Sequence, residues 1–326
     1  MNITRFRRWF LLVSATLVIP SLIMLLGPFI PVLGQNLGSS LEPGIEFTGG
    51  SAMTVEFSQQ VNSADIRSRL ASIGHERSTV QSMGENVYFI RLGRLSEPQI
   101  DSAGKLIEAG GRQQVETSLS TLSSMDVLSF DSISAVVGAE TVRASTIAVI
   151  LASIVILFYI SWAFRRVPSP FRYGVSAILA LIHDVIIVLG TFSLLGRITT
   201  MEINAMFIIG LLTVIGYSVN DTIVVFDRIR ENLIRHQGSS LIDMVNLSVR
   251  ETVGRSLNTS LTVATVIVAL LLFGGPTIVP LLIVLLVGVV IGTYSSIFVA
   301  GMLLVFWESG ELGRGVRRIT FAKPKN

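Results

Sequence analysis

Cysteine is absent from this 326-residue chain, which excludes disulfides, zinc–thiolate sites, cysteine-held iron–sulfur clusters and a cysteine nucleophile. Histidine is scarce, and His75, His183 and His236 are too scattered to form a histidine cluster. Charge is sparse at 14% of residues, and no GxxxxGK[ST] phosphate loop occurs, so no nucleotide site is expected. Apolar residues are abundant: half of the chain is hydrophobic and the mean hydropathy is +0.68. That profile fits a polytopic membrane protein with a soluble part and does not fit an ordinary soluble enzyme.

Six stretches approach the roughly 20 apolar residues that cross a bilayer, at about 9–30, 144–164, 173–195, 203–226, 257–274 and 279–306. Each is expected to be a helix, because other backbone leaves N–H and C=O groups unpaired in lipid. Arg5, Arg7 and Arg8 before "WFLLVSATLVIPSLIMLLG" have the form of a signal peptide. The stretch is long, however, and "PFIPVLGQ" has no small-x-small cleavage site, so an uncleaved anchor is expected.

Basic residues set the direction. They crowd the N-terminus, the second connection (Arg165, Arg166, Arg172), the fourth (Arg228, Arg230, Arg235, Arg250, Arg255) and the tail (Arg314, Arg317, Arg318, Lys323, Lys325). The alternate connections hold Arg197 and, in "GGPTIVP", nothing. Both termini are therefore expected in the cytoplasm of a prokaryotic plasma (inner) membrane. The expected organisation is a cytoplasmic N-terminus and first helix (1–30), an extracytoplasmic domain (31–143), helices two to six (144–307) with a cytoplasmic loop at 227–256, and a basic cytoplasmic tail (308–326). Residues 35–140 carry seven basic and thirteen acidic side chains, a net −6, and the rest of the chain carries +9. An acidic translocated domain and a basic inner face fit that membrane.

Within the insert, "SAMTVEFS" (51–58) and "NVYFIRLG" (86–93) alternate as strands do, and "SADIRSRLASIG" reads as a capped helix ending at Gly74. "SEPQIDSAGKLIEAGG" (96–111) reads as a second helix capped by Ser96 and stopped by a glycine pair, and a third strand is expected within 125–137. Helices alternating with strands predict a small α+β domain of ferredoxin-like type. No catalytic constellation is visible in it, and His75 reads as a solvated loop residue.

The membrane part carries polar residues that lipid does not favour. Asp221, beside Asn220, lies seven residues before Arg228, roughly 10 Å inside the boundary, and Asp184, beside His183, lies twelve residues beyond Arg172, roughly 18 Å in. Intramembrane carboxylates are costly, and they usually face a bundle interior and mark an ion or proton path. Arg255 in "GRSLNTS" can approach from the inner end by snorkelling. A carboxyl group between a desolvating bundle and an arginine changes protonation when water access changes. Proton coupling is therefore expected at Asp221, with Arg255 as counter-charge, Ser218 and Asn220 tuning the site, and Asp184 with His183 as a second polar point. The competing expectation is that both carboxyls are packing groups. Asp227, next to Arg228 and Arg230, reads as an interfacial ion pair. Gly210, Gly216, Gly288 and Gly292 read as close helix contacts, the last two in a GxxxG pattern. "IDMVNLSVRETV" (242–253) reads as an amphipathic helix lying on the membrane surface, in contact with lipid.

"GYSVNDTIVVFDRIREN" (216–232) resembles the fourth-helix signature of the SecF family of protein translocase accessory subunits, a branch of the resistance–nodulation–division superfamily. "LIHDVIIVLG", "ETVGRSLNTS" and "GIEFTGG" (44–50) resemble its other motifs, in the expected order along the chain. The resemblance implies a partner SecD, association with the SecYEG channel and YajC in the SecA-dependent pathway, and unfolded preproteins as cargo. It also implies use of the proton-motive force for late, ATP-independent translocation, with no catalysis of a chemical reaction, no cofactor beyond protons, no metal and no nucleic acid. The family's transmembrane aspartate falls on Asp221, its proton-path arginine on Arg255, and its outer motif on Glu46, Phe47, Gly49 and Gly50. The family commonly has Asp where this chain has Glu46. The rival readings are a subunit of an exporter of small molecules or lipids from the same superfamily, an intramembrane aspartyl protease, and a structural subunit that only stabilises SecD. Such exporters are generally longer, with a second large outer domain. The protease family expects Gly-x-Gly-Asp, where this chain has "SVND" and "LIHD".

Overall fold

The computed structural model describes residues 3–27, 41–96, 99–100, 106–108, 110–165, 167, 169–199, 201–275 and 278–309. Each apolar run is helical over most of its described length, and five of the six helices run well past 24 residues, because polar turns at their ends continue the backbone hydrogen bonding outside the apolar stretch. The six candidate spans are Ile3–Leu26, Ala135–Ala163, Pro170–Thr199, Ala205–Arg235, Leu241–Phe273 and Val279–Trp307. In the first, a 3-10 turn leads into α1 (Arg7–Leu26); in the last, α9 (Val279–Tyr294) passes through a π-helical segment (Ser295–Ala300) into α10 (Gly301–Glu308). The chain is a multi-pass membrane protein. The third, fourth and sixth spans are the inner ones, with half or more of their most apolar window buried, against 17% or less for the other three.

Among the described residues two compact units are present. One gathers Glu42–Thr146 with Glu202–Ala205; the other holds most of the long helices. In the first unit a single turn, α2 (Ile45–Thr48), precedes β1 (Gly50–Phe57), α3 (Ser63–Ser72), β2 (Thr79–Ser82) and β3 (Val87–Leu92). There follow β4 (Gln99–Ile100), β5 (Leu106–Glu108), α4 (Gly111–Ser120) and β6 (Met125–Ile133). The main sheet is antiparallel in the order β2-β3-β1-β6. With α3 and α4 as its two helices this is the βαββαβ arrangement of ferredoxin-like domains. Strand alternation places Met53, Val55 and Phe57 of β1 and Tyr88, Ile90 and Leu92 of β3 on one face. Ile66 and Leu70 of α3 and Val115 and Leu119 of α4 close over them. Asn62 caps α3 by accepting from the Ala64 N–H at 2.9 Å.

Two expectations change. The second helix of this domain is not at 96–111, because Gln99–Ile100 pairs with Leu106–Glu108 as a short hairpin, and residues 97–98, 101–105 and 109 lie outside the described residues. The helix starts at Gly111, so the glycine pair opens a helix instead of stopping one. Residues 242–253 are not a separate surface helix. Ser240 caps a continuous helix from Leu241 to Phe273, and Met244, Val245, Ser248, Val249 and Thr252 of its first turns are buried. The tail expected at 308–326 lies almost wholly outside the described residues.

The long helices are α5 (Ala135–Ala163), α6 (Pro170–Thr199), α7 (Ala205–Arg235) and α8 (Leu241–Phe273), followed by α9. Small residues set the closest approaches. A Cβ added at Gly288 would stand 2.1 Å from Val214 Cγ2, one at Gly210 3.0 Å from Val284 and one at Gly292 3.1 Å from Ser218 Cβ. Gly216 does not serve this purpose: it is exposed and nothing lies within 4 Å of the corresponding point. Gly288→Ala should therefore force α9 away from α7 and cost about 1–3 kcal/mol. Adding Val214→Ala should return part of it, since Val214 Cβ, 2.8 Å from the added methyl, remains, as read by thermal unfolding in detergent; equal melting of the single variant and the wild type would refute this contact.

Candidate functional site

The buried stripe of α7 runs through Val214, Ser218, Asp221, Thr222 and Val225, the i, i+4, i+7 spacing of one helix face. That face aims Asp221 into the bundle. Asn220, one residue earlier, is exposed and makes no side-chain hydrogen bond among the described residues, so it takes no part in the cluster.

Asp221 is 8% exposed. Its Oδ1 accepts from Ser256 Oγ at 2.6 Å, whereas Oδ2 is buried with no hydrogen-bond partner among the described residues. Ser256 belongs to a ladder on α8: Ser248, Thr252, Ser256 and Ser260 recur every fourth residue and are all buried. Ser260 donates to the Ser256 carbonyl at 2.8 Å, lies 2.9 Å from the Tyr217 hydroxyl and also meets Thr293. Higher on the ladder, Asn232 donates to Ser248 at 2.9 Å and to Glu251 at 2.8 Å.

Asp184 on α6 is fully buried and better satisfied. Its Oδ2 accepts from Ser218 at 2.6 Å and from Ser295 at 2.7 Å, and His183 Nδ1 stands 2.9 Å from Oδ1. His183 Nε2 is buried without a partner among the described residues. The π-helical segment turns two consecutive serines inward: Ser295 reaches Asp184 on α6, and Ser296, toward α7, donates to the Ser218 carbonyl at 3.0 Å and lies 2.8 Å from Thr222 Oγ1. The wide turn of a π segment is often found at functional sites.

Arg255 is not the partner of Asp221 in this arrangement. It is exposed, with no ion pair among the described residues, and lines a cavity of about 370 Å³. Val224, Asp227, Arg228 and Glu231 of α7 and Glu251 and Thr252 of α8 line the rest. Arg228 bridges the helices, 2.7 Å from Glu251 and also paired with Glu231. Asp227 pairs with Arg230 at 2.6 Å. Of the hydroxyl donors only Ser218 was expected, and the ladder on α8 was the part that charge-based reading missed. Its signal was present as the i+4 spacing of Ser248, Thr252, Ser256 and Ser260, which requires ordinary residues and no charge.

A second constellation surrounds residues 44–50. Gly49 and Gly50 have φ of +73° and +128°, which side chains resist, and the turn they make starts β1. A Cβ on Gly49 would fall 2.8 Å from Ala135, the first residue of α5, and one on Gly44 would fall 3.0 Å from the Ile203 carbonyl. Phe47 is partly buried, and its carbonyl lies 2.9 Å from where a Cβ of Gly138 would stand. Glu46 sits within the α2 turn. Residues 202–203, just before α7, lie alongside: Ile203 donates to the Glu42 carbonyl and accepts from Gly44, both at 2.7 Å. Arg91 on β3 gathers the group, donating to Pro43 O at 2.9 Å, Glu202 Oε1 at 3.0 Å and Thr48 Oγ1 at 2.8 Å.

The family model described as "Protein export membrane protein SecD/SecF, C-terminal" matches residues 114–310, and the "SecD/SecF GG Motif" matches residues 41–61. The chain belongs to the SecD/SecF family. Asp184, Asp221 and Arg255 lie in the first match and Glu46 to Gly50 in the second. Among SecD/SecF relatives, "Protein translocase subunit SecF" of Thermobaculum terrenum is 42% identical, covering 98% of this chain and 97% of that one. The protein of the same name from Anaerolinea thermophila is 37% identical over 95% of both chains. The crystal structure of SecDF, a translocon-associated membrane protein from Thermus thermophilus, superposes with a TM-score of 0.78 at 29% identity. It covers 95% of this chain, which spans only 39% of that longer SecDF chain.

Burial pushes the Glu202 carboxyl above its ordinary value of 4.5; the Arg91 guanidinium and its hydrogen bond pull it back, and Glu46 and Glu42 add to the rise. The folded value therefore exceeds the unfolded one. This group favours the folded state fully below about pH 4.5, and that contribution is lost as pH rises through the folded value. Across this window the thermal midpoint of the wild type should fall relative to that of Glu202→Gln as pH increases; a pH-independent difference would contradict the burial effect.

Proposed function

We propose that this chain is a SecF-type subunit that pairs with SecD at the SecYEG channel and promotes late preprotein translocation with the proton-motive force. The supporting observation is Asp221: a buried carboxyl on an inner span, with one oxygen held by Ser256 and the other without a hydrogen-bond partner among the described residues. Such a group can take up and release a proton without dismantling a salt bridge. Agreement with translocase subunits over nearly their full length supports this role over that of a superfamily exporter.

The cycle follows from the groups present. Protonation of Asp221 removes its charge, and Ser256 then faces a neutral acid; deprotonation restores a strong acceptor at the α7–α8 seam. Two arrangements of those helices that differ in water access to Asp221 are favoured by the two protonation states. Arg255, in the adjoining polar cavity, is the mobile cation that reaches toward Asp221 in one of them, and Asp184 with His183 holds α6 to α7 throughout. One charge moving through 100 mV supplies about 2.3 kcal/mol, enough to bias a two-state rocking. The distribution of Lys and Arg supports a plasma membrane orientation with both termini in the cytoplasm and the sheet domain outside, where preproteins emerge.

The test is proton-motive-force-dependent preprotein export in membranes holding the chain with its SecD partner. Asp221→Asn should abolish the stimulation while assembly with SecD stays at the wild-type level. Full stimulation by Asp221→Asn would sink the assignment and turn attention to Asp184 or to the partner subunit.

A further inference from the structure

Residues 202–205 form the connection between α6 and α7, yet they belong to the same compact unit as the sheet. Two kinds of contact hold them there. Ile203 pairs with Pro43 as a parallel bridge, through its bonds to Glu42 and Gly44. Arg91 and Glu202 form an ion pair at 3.0 Å, with side chains 22% and 16% exposed. Gly44 allows this approach, because a Cβ there would stand 2.7 Å from Glu46 Oε2 and 3.3 Å from Glu202 Oε2. Arg91 is well anchored, since β3 is an inner strand paired at this residue with Ala52 of β1 and Thr79 of β2. Ala205, two residues past Ile203, is the first residue of α7, which runs unbroken to Arg235 and carries Asp221. Sixteen residues of continuous helix separate Ala205 from Asp221, roughly 24 Å.

We infer that the Arg91–Glu202 pair, with the Pro43–Ile203 bridge beside it, is the latch that couples displacement of α7 to the sheet domain. It rests on the reading of Asp221 as the group that drives α7. An axial shift or rotation of α7 reaches its first turn, because a continuous helix is a stiff element. There it meets residues 202–203, which are fixed to an inner strand through a forked guanidinium and to the glycine motif through backbone bonds. A connection held only by the chain would let the helix end slip; the latch converts the same movement into a load on β1 and β3. The latch stays closed through the cycle, and Arg91 and Glu202 are positioning residues that touch neither the proton nor the preprotein.

The test uses the assembled complex in vesicles, with Arg91→Glu, Glu202→Arg, the combined swap and Asp221→Asn in parallel. Two readouts are taken: proton-driven export, and hydrogen exchange at the Gly44 and Ile203 amides, both of which are hydrogen-bonded when the latch is closed. Each single reversal should speed exchange at these amides and lower the stimulation about tenfold, within the range seen for substitutions along coupling networks. The swap should recover part of both, because it restores the ion pair but not the bonds that Arg91 donates to Pro43 and Thr48. Because the chain has no cysteine, Pro43→Cys with Ile203→Cys adds a clean second arm, in which oxidation should leave stimulation intact. Faster exchange with unchanged export in a single reversal, or loss of export on oxidation of the cysteine pair, would overturn the latch. The two readings separate: if Asp221→Asn keeps full stimulation while the reversals lose it, the proton reading fails and the latch stands.

Discussion

A carboxyl group buried among apolar helices must find a hydrogen-bond donor within the protein, and in this chain the donors are hydroxyl groups on neighbouring helices. Asp184 is met by Ser218 and Ser295, and Asp221 by Ser256. Serine is small, so each such bond also demands that two helix backbones come close, which is why Gly288 and Gly292 face Val214 and Ser218. The tight packing of α7 against α9 and the satisfaction of Asp184 are thus one requirement. The asymmetry between the two acids follows from it. Asp184 is surrounded by donors and suits a fixed joint, whereas Asp221 has a single donor among the described residues and suits a group whose state changes.

The spans were legible because bilayer thickness imposes a long apolar run, a signal that survives in any single sequence. Strand β3 was legible because its two faces alternate in burial, and β1 because its second half does so. The second domain helix was misplaced for a physical reason. "GRQQVETSLS" buries only Val115 and Leu119 as large apolar groups, so its periodicity is faint. The preceding segment, with Ile100, Leu106 and Ile107 at near-helical spacing, imitated a helix more strongly than the true one did. The surface-helix reading of 242–253 failed because Ser248 and Thr252 look polar in sequence and yet form part of a buried seam.

At the site, the two aspartates and His183 were legible because charge in an apolar run stands out. Arg255 and Ser256 are adjacent in sequence, and expectation fell on the charged one because Coulomb attraction reaches further than a hydrogen bond. In the structure described, side-chain direction decides instead: Ser256 points into the bundle and Arg255 into a polar cavity one turn from the boundary charges. The glycine motif was visible as a pattern, but its service to the starts of both α5 and α7 depends on residues more than 80 positions away, which no local spacing reports.

The π-helical segment at Ser295–Ala300 has a consequence for how such chains vary. A π turn holds one residue more than the α turn it replaces, so it takes up the roughly 100° that an extra residue would otherwise add to everything beyond it. Removing one residue between Tyr294 and Gly301 would restore a regular helix and leave the rest of the span on its present face. Met302 and Val305, now buried, would stay in the bundle, and the change would fall on the reach of Ser295 to Asp184 and of Ser296 to the Ser218 carbonyl. A single-residue gap at this point in a related chain is therefore the mark of a lost π turn in a bundle that is otherwise kept.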